Sequence, residues 1–477
     1  MMFPTAWLSK GSIQRYALCF AITLFPISLS AAESAAELSP PPNPGVAASI
    51  DSDKIESLSA ELQRFVNSGE YEQFMPPRQL RHEIAKRDVQ SLEELLSALL
   101  AVAREMGYDP SRDMGLIPLN TESTRGYNLG VEEPALLRDE KREPGPFGVH
   151  RYLYPESGVP TFAGAMVAKY PEDLVAGDVD VAIIGVPNDM GSGRRNAEAG
   201  PRVMRALNTI ATPDIYALLE PHDILSIVDY GDFRIDNMAT ETSVPNVTRK
   251  TRATAATGAI PMLVGGDTSM LYPGVKGVAQ HHGYGTIGLV HFSAHPDVNR
   301  HSAHSVSDDQ ALFLLLKEGI INGSDMVTVG LRGPAVTVEN LRWLREQKVR
   351  YHTMAEISES GYGAVLTRVL DEAGRAPEKL FVSIDVSVIE PSQMVSAGRI
   401  ASHGLTIQEV SRAIRHLCAS KDIAGFEITD MAPMLDYSRL SAVNANAVLN
   451  ACLVGIAVRK AGYSADYIHP LSRDHGQ

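Results

Sequence analysis

The segment Thr286-Ile-Gly-Leu-Val-His-Phe-Ser-Ala-His-Pro-Asp297 joins an almost continuous apolar run to a group of polar side chains. Apolar residues at successive positions are typical of a strand that is covered on both faces of a parallel sheet. Ligands of such sheets bind in the crevice beyond the carboxyl ends of the strands. Because Ser293, His295 and Asp297 follow the run at once, we predict that they line a crevice of this kind.

Further β-rich runs occur from residue 179 onward, and they alternate with helical stretches. This alternation predicts an α/β fold, a three-layer sandwich in which helices cover both faces of a mostly parallel eight-stranded sheet. With the run in residues 286–292, the predicted strands are Val179–Val186, Ile224–Tyr230, Ile260–Val264, Met326–Leu331, Val349–His352, Leu380–Val386 and Ile423–Ile428.

Two other runs also lead into polar motifs. The run Ile260–Val264 is followed by Gly265-Gly-Asp-Thr-Ser269. The end of the run Leu380–Val386 overlaps Ser383-Ile-Asp-Val-Ser-Val-Ile-Glu-Pro391. With residues 291–297, these segments resemble the three signatures of the ureohydrolase (arginase/agmatinase) family: Gly-Gly-Asp-His-Ser, Asp-Ala-His-x-Asp and Ser-x-Asp-x-Asp-x-x-Asp-Pro. The segments stand in the family's order and at compatible spacing. The resemblance implies an arginase-like domain at residues 158–465.

The resemblance also implies a two-metal hydrolysis. Family members hold two manganese ions that share a hydroxide, which attacks the guanidinium carbon of arginine, agmatine or a similar substrate and releases urea. Mn²⁺ prefers charged oxygen donors and imidazole, and two cations make hydroxide available near neutral pH. Three of the six ligand positions keep the family's residue: His295, Asp297 and Asp385. The other three carry neutral hydroxyls, which are weak ligands: Thr268, Ser293 and Ser387.

The family's substrate-binding positions differ as well. Asp430 aligns with the glutamate that binds the guanidinium, and it keeps the charge on a shorter side chain. The family's Pro-Gly-Thr-Gly-Thr-Pro loop is replaced by Val395-Ser-Ala-Gly-Arg-Ile400, in which Arg399 adds a cation where a cationic substrate would approach. The proton-shuttling histidine falls on His304 or, in another register, on Asp308. Candidate catalytic residues are therefore His304, Asp308 and Asp430, and candidate substrate-binding residues are Asp430 and Arg399.

Two functions remain open from the sequence. The chain is either a hydrolase of a guanidino compound with one divalent metal ion, manganese by family, or a metal-free pseudoenzyme that binds a small cationic metabolite or acts in an assembly. The resemblance implies a homo-oligomer, a trimer or hexamer. The net charge of −14 offers no basic face to phosphates and argues against a nucleic-acid partner.

The N-terminal residues 1–32 have the pattern of a secretory signal peptide. Lys10 and Arg15 give a positive start, the apolar run Tyr16–Ile27 follows, and small residues extend to Ala32. The run is shorter than the ~20 residues of a bilayer span. We therefore expect a periplasmic or secreted protein without stable membrane insertion after cleavage, although an uncleaved anchor is the alternative. The proline-rich residues 33–50 predict a disordered linker, and residues 51–157 predict a helical and irregular extension.

Two cysteines, Cys418 and Cys452, would remain after the signal peptide is removed. In an exported chain they permit one disulfide bond. Their apolar, helix-like surroundings instead favour buried free thiols.

Overall fold

The computed structural model describes residues 52–75, 77–106, 144–148, 150–151, 154–192, 196–207, 209–236, 238–301 and 306–474. The predicted signal peptide and linker lie outside these residues.

The strands of the described chain form one large sheet and one small antiparallel pair. They are β1 (His150–Arg151), β2 (Tyr154–Gly158), β3 (Met166–Val167), β4 (Val181–Gly185), β5 (Ile227–Asp232), β6 (Ile260–Val264), β7 (Ile287–Phe292), β8 (Met326–Leu331), β9 (Arg350–Thr353), β10 (Lys379–Asp385) and β11 (Asp422–Thr429). Strands β1 and β2 form the pair. The large sheet has the order β3-β5-β4-β6-β11-β10-β7-β8-β9, and all its strand pairs are parallel.

Helices cover both faces of this sheet. The described chain has α1 (Ser52–Ser57), α2 (Ala60–Asn67), α3 (Pro77–Lys86), α4 (Val89–Met106), α5 (Pro171–Ala176), α6 (Gly200–Leu207), α7 (Pro221–Ile224), α8 (Thr240–Ala256), α9 (Leu271–His282), α10 (Ala311–Lys317), α11 (Val338–Glu346), α12 (Met354–Ser360), α13 (Tyr362–Arg375), α14 (Ile407–Ser420) and α15 (Leu440–Lys460). Helices α6, α13, α14 and α15 pack on one face, and α8, α9 and α10 pack on the other.

The sandwich predicted from the sequence is confirmed, but the predicted number of eight strands is wrong, since the sheet has nine. The additional strand is β3, which contains two residues and pairs with β5 at the edge of the sheet. A strand this short has no apolar run that a sequence pattern could reveal. The central strands are fully buried, as their unbroken apolar runs predict.

The described residues 52–75 and 77–106 of the N-terminal extension are helical, as predicted. Helices α1 to α4 enclose an apolar core of their own, which includes Leu62, Phe65, Leu92 and Leu96. Helix α3 contacts the short helix α7 of the sheet domain.

Helices α14 and α15 are joined by a disulfide bond between Cys418 and Cys452. The expectation of free thiols was therefore wrong. The two Cα atoms lie 5.3 Å apart, within the range that a disulfide spans. Gly455 permits this approach, because a Cβ atom there would lie 2.5 Å from the carbonyl oxygen of Arg415. Within the described residues, α15 is long and apolar enough to cross a bilayer, but most of that stretch is buried among the other helices, as in a core helix.

Candidate functional site

The carboxyl ends of four neighbouring strands, β6, β11, β10 and β7, meet at the centre of the sheet. The backbone there is held by the amide of Gly265, which donates to the carbonyl of Ile428 at 2.7 Å, and by that of Asp430, which donates to the carbonyl of Gly266 at 2.7 Å. The three signature segments therefore reach one crevice, as parallel strands require.

The guanidinium of Arg399 lies in the middle of this crevice. Its Nη1 donates to Asp297 Oδ1 at 2.9 Å, and its Nη2 donates to Asp385 Oδ2 at 2.8 Å. Its Nε lies 3.0 Å from Asp308 Oδ2, an ion pair without a hydrogen bond. Only 9% of the Arg399 side chain is exposed. The sequence places Arg399 at the approach of a substrate, whereas in the structure its side chain points inward and contacts two of the predicted metal ligands.

Asp430 and Gly398 hold the backbone of Arg399 in place. Asp430 Oδ2 accepts from the Arg399 amide at 2.8 Å, and the Asp430 carbonyl accepts from the Gly398 amide at 2.8 Å. A Cβ atom at Gly398 would lie 2.5 Å from Asp430 Oδ1, so this approach requires glycine. The carboxylate aligned with the family's substrate-binding glutamate thus binds the chain's own backbone.

Arg332 supports the same loop from beneath, although the sequence did not single it out. Its Nη2 donates to the carbonyls of Ser387 at 2.6 Å and Ala401 at 2.8 Å, and its Nε donates to that of Ser402 at 2.8 Å. The signal available in the sequence was an arginine placed directly after the apolar run of β8. Such a side chain lies at the crevice end of the sheet.

The three hydroxyl residues at the altered ligand positions form hydrogen bonds with the remaining ones. Thr268 Oγ1 and Ser293 Oγ donate to Asp385 Oδ2 at 3.3 and 3.2 Å. The Ser387 amide donates to Asp385 Oδ1 at 2.8 Å, and the Ser387 hydroxyl lies 3.3 Å from His295 Nδ1. Both oxygens of Asp385 are therefore bound by protein donors.

A second histidine, His291, also lies at the site, although the sequence did not single it out. Its side chain is fully buried, with Nδ1 3.0 Å from Ser383 Oγ and Nε2 3.1 Å from Asp297 Oδ2. His291 lies opposite Ser383 in the pairing of β7 with β10. The feature of the sequence that could have placed His291 at the site is therefore the pairing of these two strands. Asp297 is thus bound by Arg399 through one oxygen and by His291 through the other.

Burial and charge set the protonation of the cluster. Burial raises the pKa of Asp308 to about 7, against the opposing charge of Arg399. Burial and the neighbouring charge of Asp385 hold the pKa of Asp430 well above its ordinary value. Burial alone would raise the pKa of Asp385, but the nearby His295, whose Nδ1 lies 3.9 Å from Asp385 Oδ2, and the charge of Arg399 outweigh it and hold that pKa well below its ordinary range. An ionised Asp385 therefore faces a permanently charged Arg399.

The donor set does not fit two manganese ions. In the part of the chain that the structure describes, no three His, Cys, Asp or Glu side chains are arranged to hold a metal ion. Each Mn²⁺ would need about five or six oxygen or nitrogen donors. The carboxylates of Asp297 and Asp385 are bound to Arg399 instead, and a metal ion beside them would meet the charge of the guanidinium.

His304 lies outside the described residues. Asp308 lies beside Arg399 at the edge of the crevice, with 11% of its side chain exposed. Of the other signature residues, Asp267 braces the loops, since it accepts from the amides of Ser192 at 2.9 Å and Ser269 at 3.1 Å.

Comparison with known proteins agrees with this architecture. A model of the arginase family matches residues 179–455. The chain belongs to the arginase family. It is 30% identical to an agmatinase from Chromobacterium violaceum over 61% of this chain and 89% of that protein. It is 27% identical to a guanidinobutyrase from Pseudomonas aeruginosa over 58% of this chain and 86% of that one.

Solved structures resemble the arginase-like domain in fold. A hypothetical agmatinase from Burkholderia thailandensis has a TM-score of 0.58 at 25% identity, over 68% of this chain and 97% of that one. A formiminoglutamase from Trypanosoma cruzi, solved with Mn²⁺, has a TM-score of 0.54 at 22% identity, over 59% of this chain and 95% of that one. The latter likeness concerns the fold alone.

Proposed function

We propose that this chain is a non-hydrolytic member of the arginase family, a pseudoenzyme that keeps the fold without the two-metal reaction. One observation carries the proposal: the guanidinium of Arg399 is bound to Asp297 and Asp385, two of the predicted metal ligands. The relatives named for hydrolysing agmatine or guanidinobutyrate make a hydrolase the competing function. A hydrolase would require Arg399 to leave the crevice.

A guanidino metabolite also fits this crevice poorly. Such a ligand is a cation, and in a buried site it would meet the like charge of Arg399. The carboxylate of Asp430, which the family resemblance assigns to the ligand, accepts from the Arg399 amide instead. We therefore favour a role in assembly, with this chain as part of a homo-oligomer, over binding of a cationic metabolite at this centre.

Metal content and urea release test the proposal together. The purified chain, dialysed after incubation with MnCl₂, should retain no stoichiometric manganese, because the remaining carboxylates are bound to Arg399. Assayed with agmatine or 4-guanidinobutyrate plus Mn²⁺, it should release no urea above the rate without protein. A family agmatinase assayed in parallel provides the positive control. Turnover on the order of 1–100 per second, typical of enzymes, would contradict the proposal.

We also propose that the chain is exported. The pattern of residues 1–32 supports this, and so does the disulfide between Cys418 and Cys452, because structural disulfides persist in oxidising compartments and are rare in the cytosol.

A further inference from the structure

We infer that the carboxylate cluster is a guanidinium-binding site whose ligand is supplied by the chain itself, and that Arg399 is this internal ligand. The inference rests on the proposed function, because a cluster that still held metal ions would leave no space for the arginine. It adds the chemical class that the site selects, a planar guanidinium cation.

The contacts match the guanidinium on three sides. Asp297 accepts from Nη1, Asp385 accepts from Nη2, and Asp308 faces Nε. Thr268 adds a weak contact to Nη2 at 3.4 Å. A guanidinium presents its N–H groups in a rigid plane, so acceptors at two of its nitrogens and a carboxyl group beside the third select it over a spherical ion or an ammonium group.

The loop that carries Arg399 does not depend on its side chain. The amides of residues 398 and 399 donate to Asp430, the amide of Ala432 donates to the carbonyl of Ser396 at 2.7 Å, and Arg332 binds the carbonyl of Ala401. All of these bonds involve backbone atoms of the loop. Truncation of Arg399 should therefore leave an intact loop and a cavity lined by carboxylates.

Without the side chain, that cavity suits a free guanidinium better than a metal ion. Asp297 keeps one oxygen bound to His291, and Asp385 keeps the hydroxyl donors Thr268 and Ser293. These bonds hold the carboxylates in the positions that fit a planar cation. They also engage Asp297 Oδ2 and Asp385 Oδ2, so a metal ion would compete with protein donors for two of the carboxylate oxygens.

Thermal unfolding of Arg399→Ala tests the inference. The variant should unfold about 5 °C or more below the parent, because removal of one partner leaves buried carboxylates unpaired. Millimolar methylguanidinium chloride should raise its Tm in a saturable way, since a ligand that binds only the folded state stabilises it. Methylammonium chloride at the same ionic strength should not raise it, and the parent should respond to neither salt. Arg342→Ala, on the exposed face of α11, is the control for loss of a positive charge.

Three outcomes would overturn the inference: an Arg399→Ala variant as stable as the parent, equal responses to methylguanidinium and methylammonium, or a larger stabilisation by MnCl₂ than by methylguanidinium. If Arg399→Ala does not fold, Arg399→Lys keeps the charge and lacks the planar donors. Arg399→Lys should unfold below the parent, and equal stability would show that a charge of any shape suffices. These measurements concern variants, whereas the proposed function is decided on the parent by metal content and urea release, so the two can fail separately.

Discussion

The residues of the crevice differ from the family in a coordinated way. By the resemblance to the family's signatures, Ser293 and Ser387 stand where the family has carboxylates, and Thr268 stands where it has an imidazole. With two negative charges fewer, the cluster no longer needs two divalent cations, and one guanidinium balances the ionised Asp385 and part of the remaining charge. Arg399 therefore explains why so many carboxylates persist in a buried site, since an unpaired buried charge is strongly unfavourable.

Restoration of the family's ligands tests this account at the residue scale. Thr268→His, Ser293→Asp and Ser387→Asp together should not create a manganese site, because Arg399 would pair with the new carboxylates. Adding Arg399→Ala should create one, and manganese at about 100 times its Kd would then stabilise the protein by about 2.7 kcal/mol. Calorimetry with and without MnCl₂ on the parent, the triple variant and the quadruple variant provides the comparison.

Either of two results would count against that prediction. An equal manganese response in the triple and quadruple variants would show that Arg399 is no obstacle to the metal. A quadruple variant that folds without any response would show that these positions do not align with metal ligands.

At the scale of elements, the contact between the N-terminal helices and α7 contains three carboxyl groups, Glu72, Glu220 and Asp223. Burial raises the pKa of each, and the charge of Asp223 raises the pKa values of Glu72 and Glu220 further. Other titratable groups that interact with this cluster are Tyr71, Arg81 and His222. The folded chain thus binds these protons more tightly than the unfolded chain. Their contribution to stability is complete below the ordinary pKa of about 4 and is lost as the pH rises through the raised values.

Asp223→Asn should remove the central charge of this cluster. Relative to the parent, we expect a higher Tm at pH 7, where the parent's carboxylates are ionised, and a smaller difference near pH 4. Thermal unfolding across this range measures the effect, and Glu359→Gln, at an exposed site of α12, is the control. A Tm difference that stays constant with pH would refute the electrostatic explanation.

At the scale of the whole molecule, export predicts the first residue of the mature chain and the oxidation state of its two cysteines. The mature protein recovered from the periplasm or the medium should begin near Ala31 to Glu33, and Cys418 and Cys452 should be joined. Intact mass measured before and after reduction reports both features, because reduction adds the mass of two hydrogens. Recovery of the chain with Met1 in place would defeat the export proposal, and free thiols in the exported protein would contradict the disulfide.

The sequence by itself determined the fold and the family, because both depend on local patterns. Buried parallel strands show as unbroken apolar runs, and the signature segments stand directly at the ends of those runs. The prediction that Thr268, Ser293 and Ser387 are altered ligands rests on their positions within the signatures alone. The short edge strand β3 was missed because two residues carry no pattern. The register that would place His304 stays a prediction.

Only the tertiary structure decided which side chain binds the carboxylates of the crevice. Arg399 lies 102 residues from Asp297 and 131 residues from Thr268 along the chain, and these side chains meet only because strands β6, β7, β10 and β11 are neighbours in the sheet. The direction of the arginine side chain depends on buried charges contributed by several strands, and periodicity reports burial but not such charge pairing. The same holds for Cys418 and Cys452, which are joined because two helices pack closely at Gly455. Interactions between distant segments, rather than local preference, decide the chemistry of this crevice.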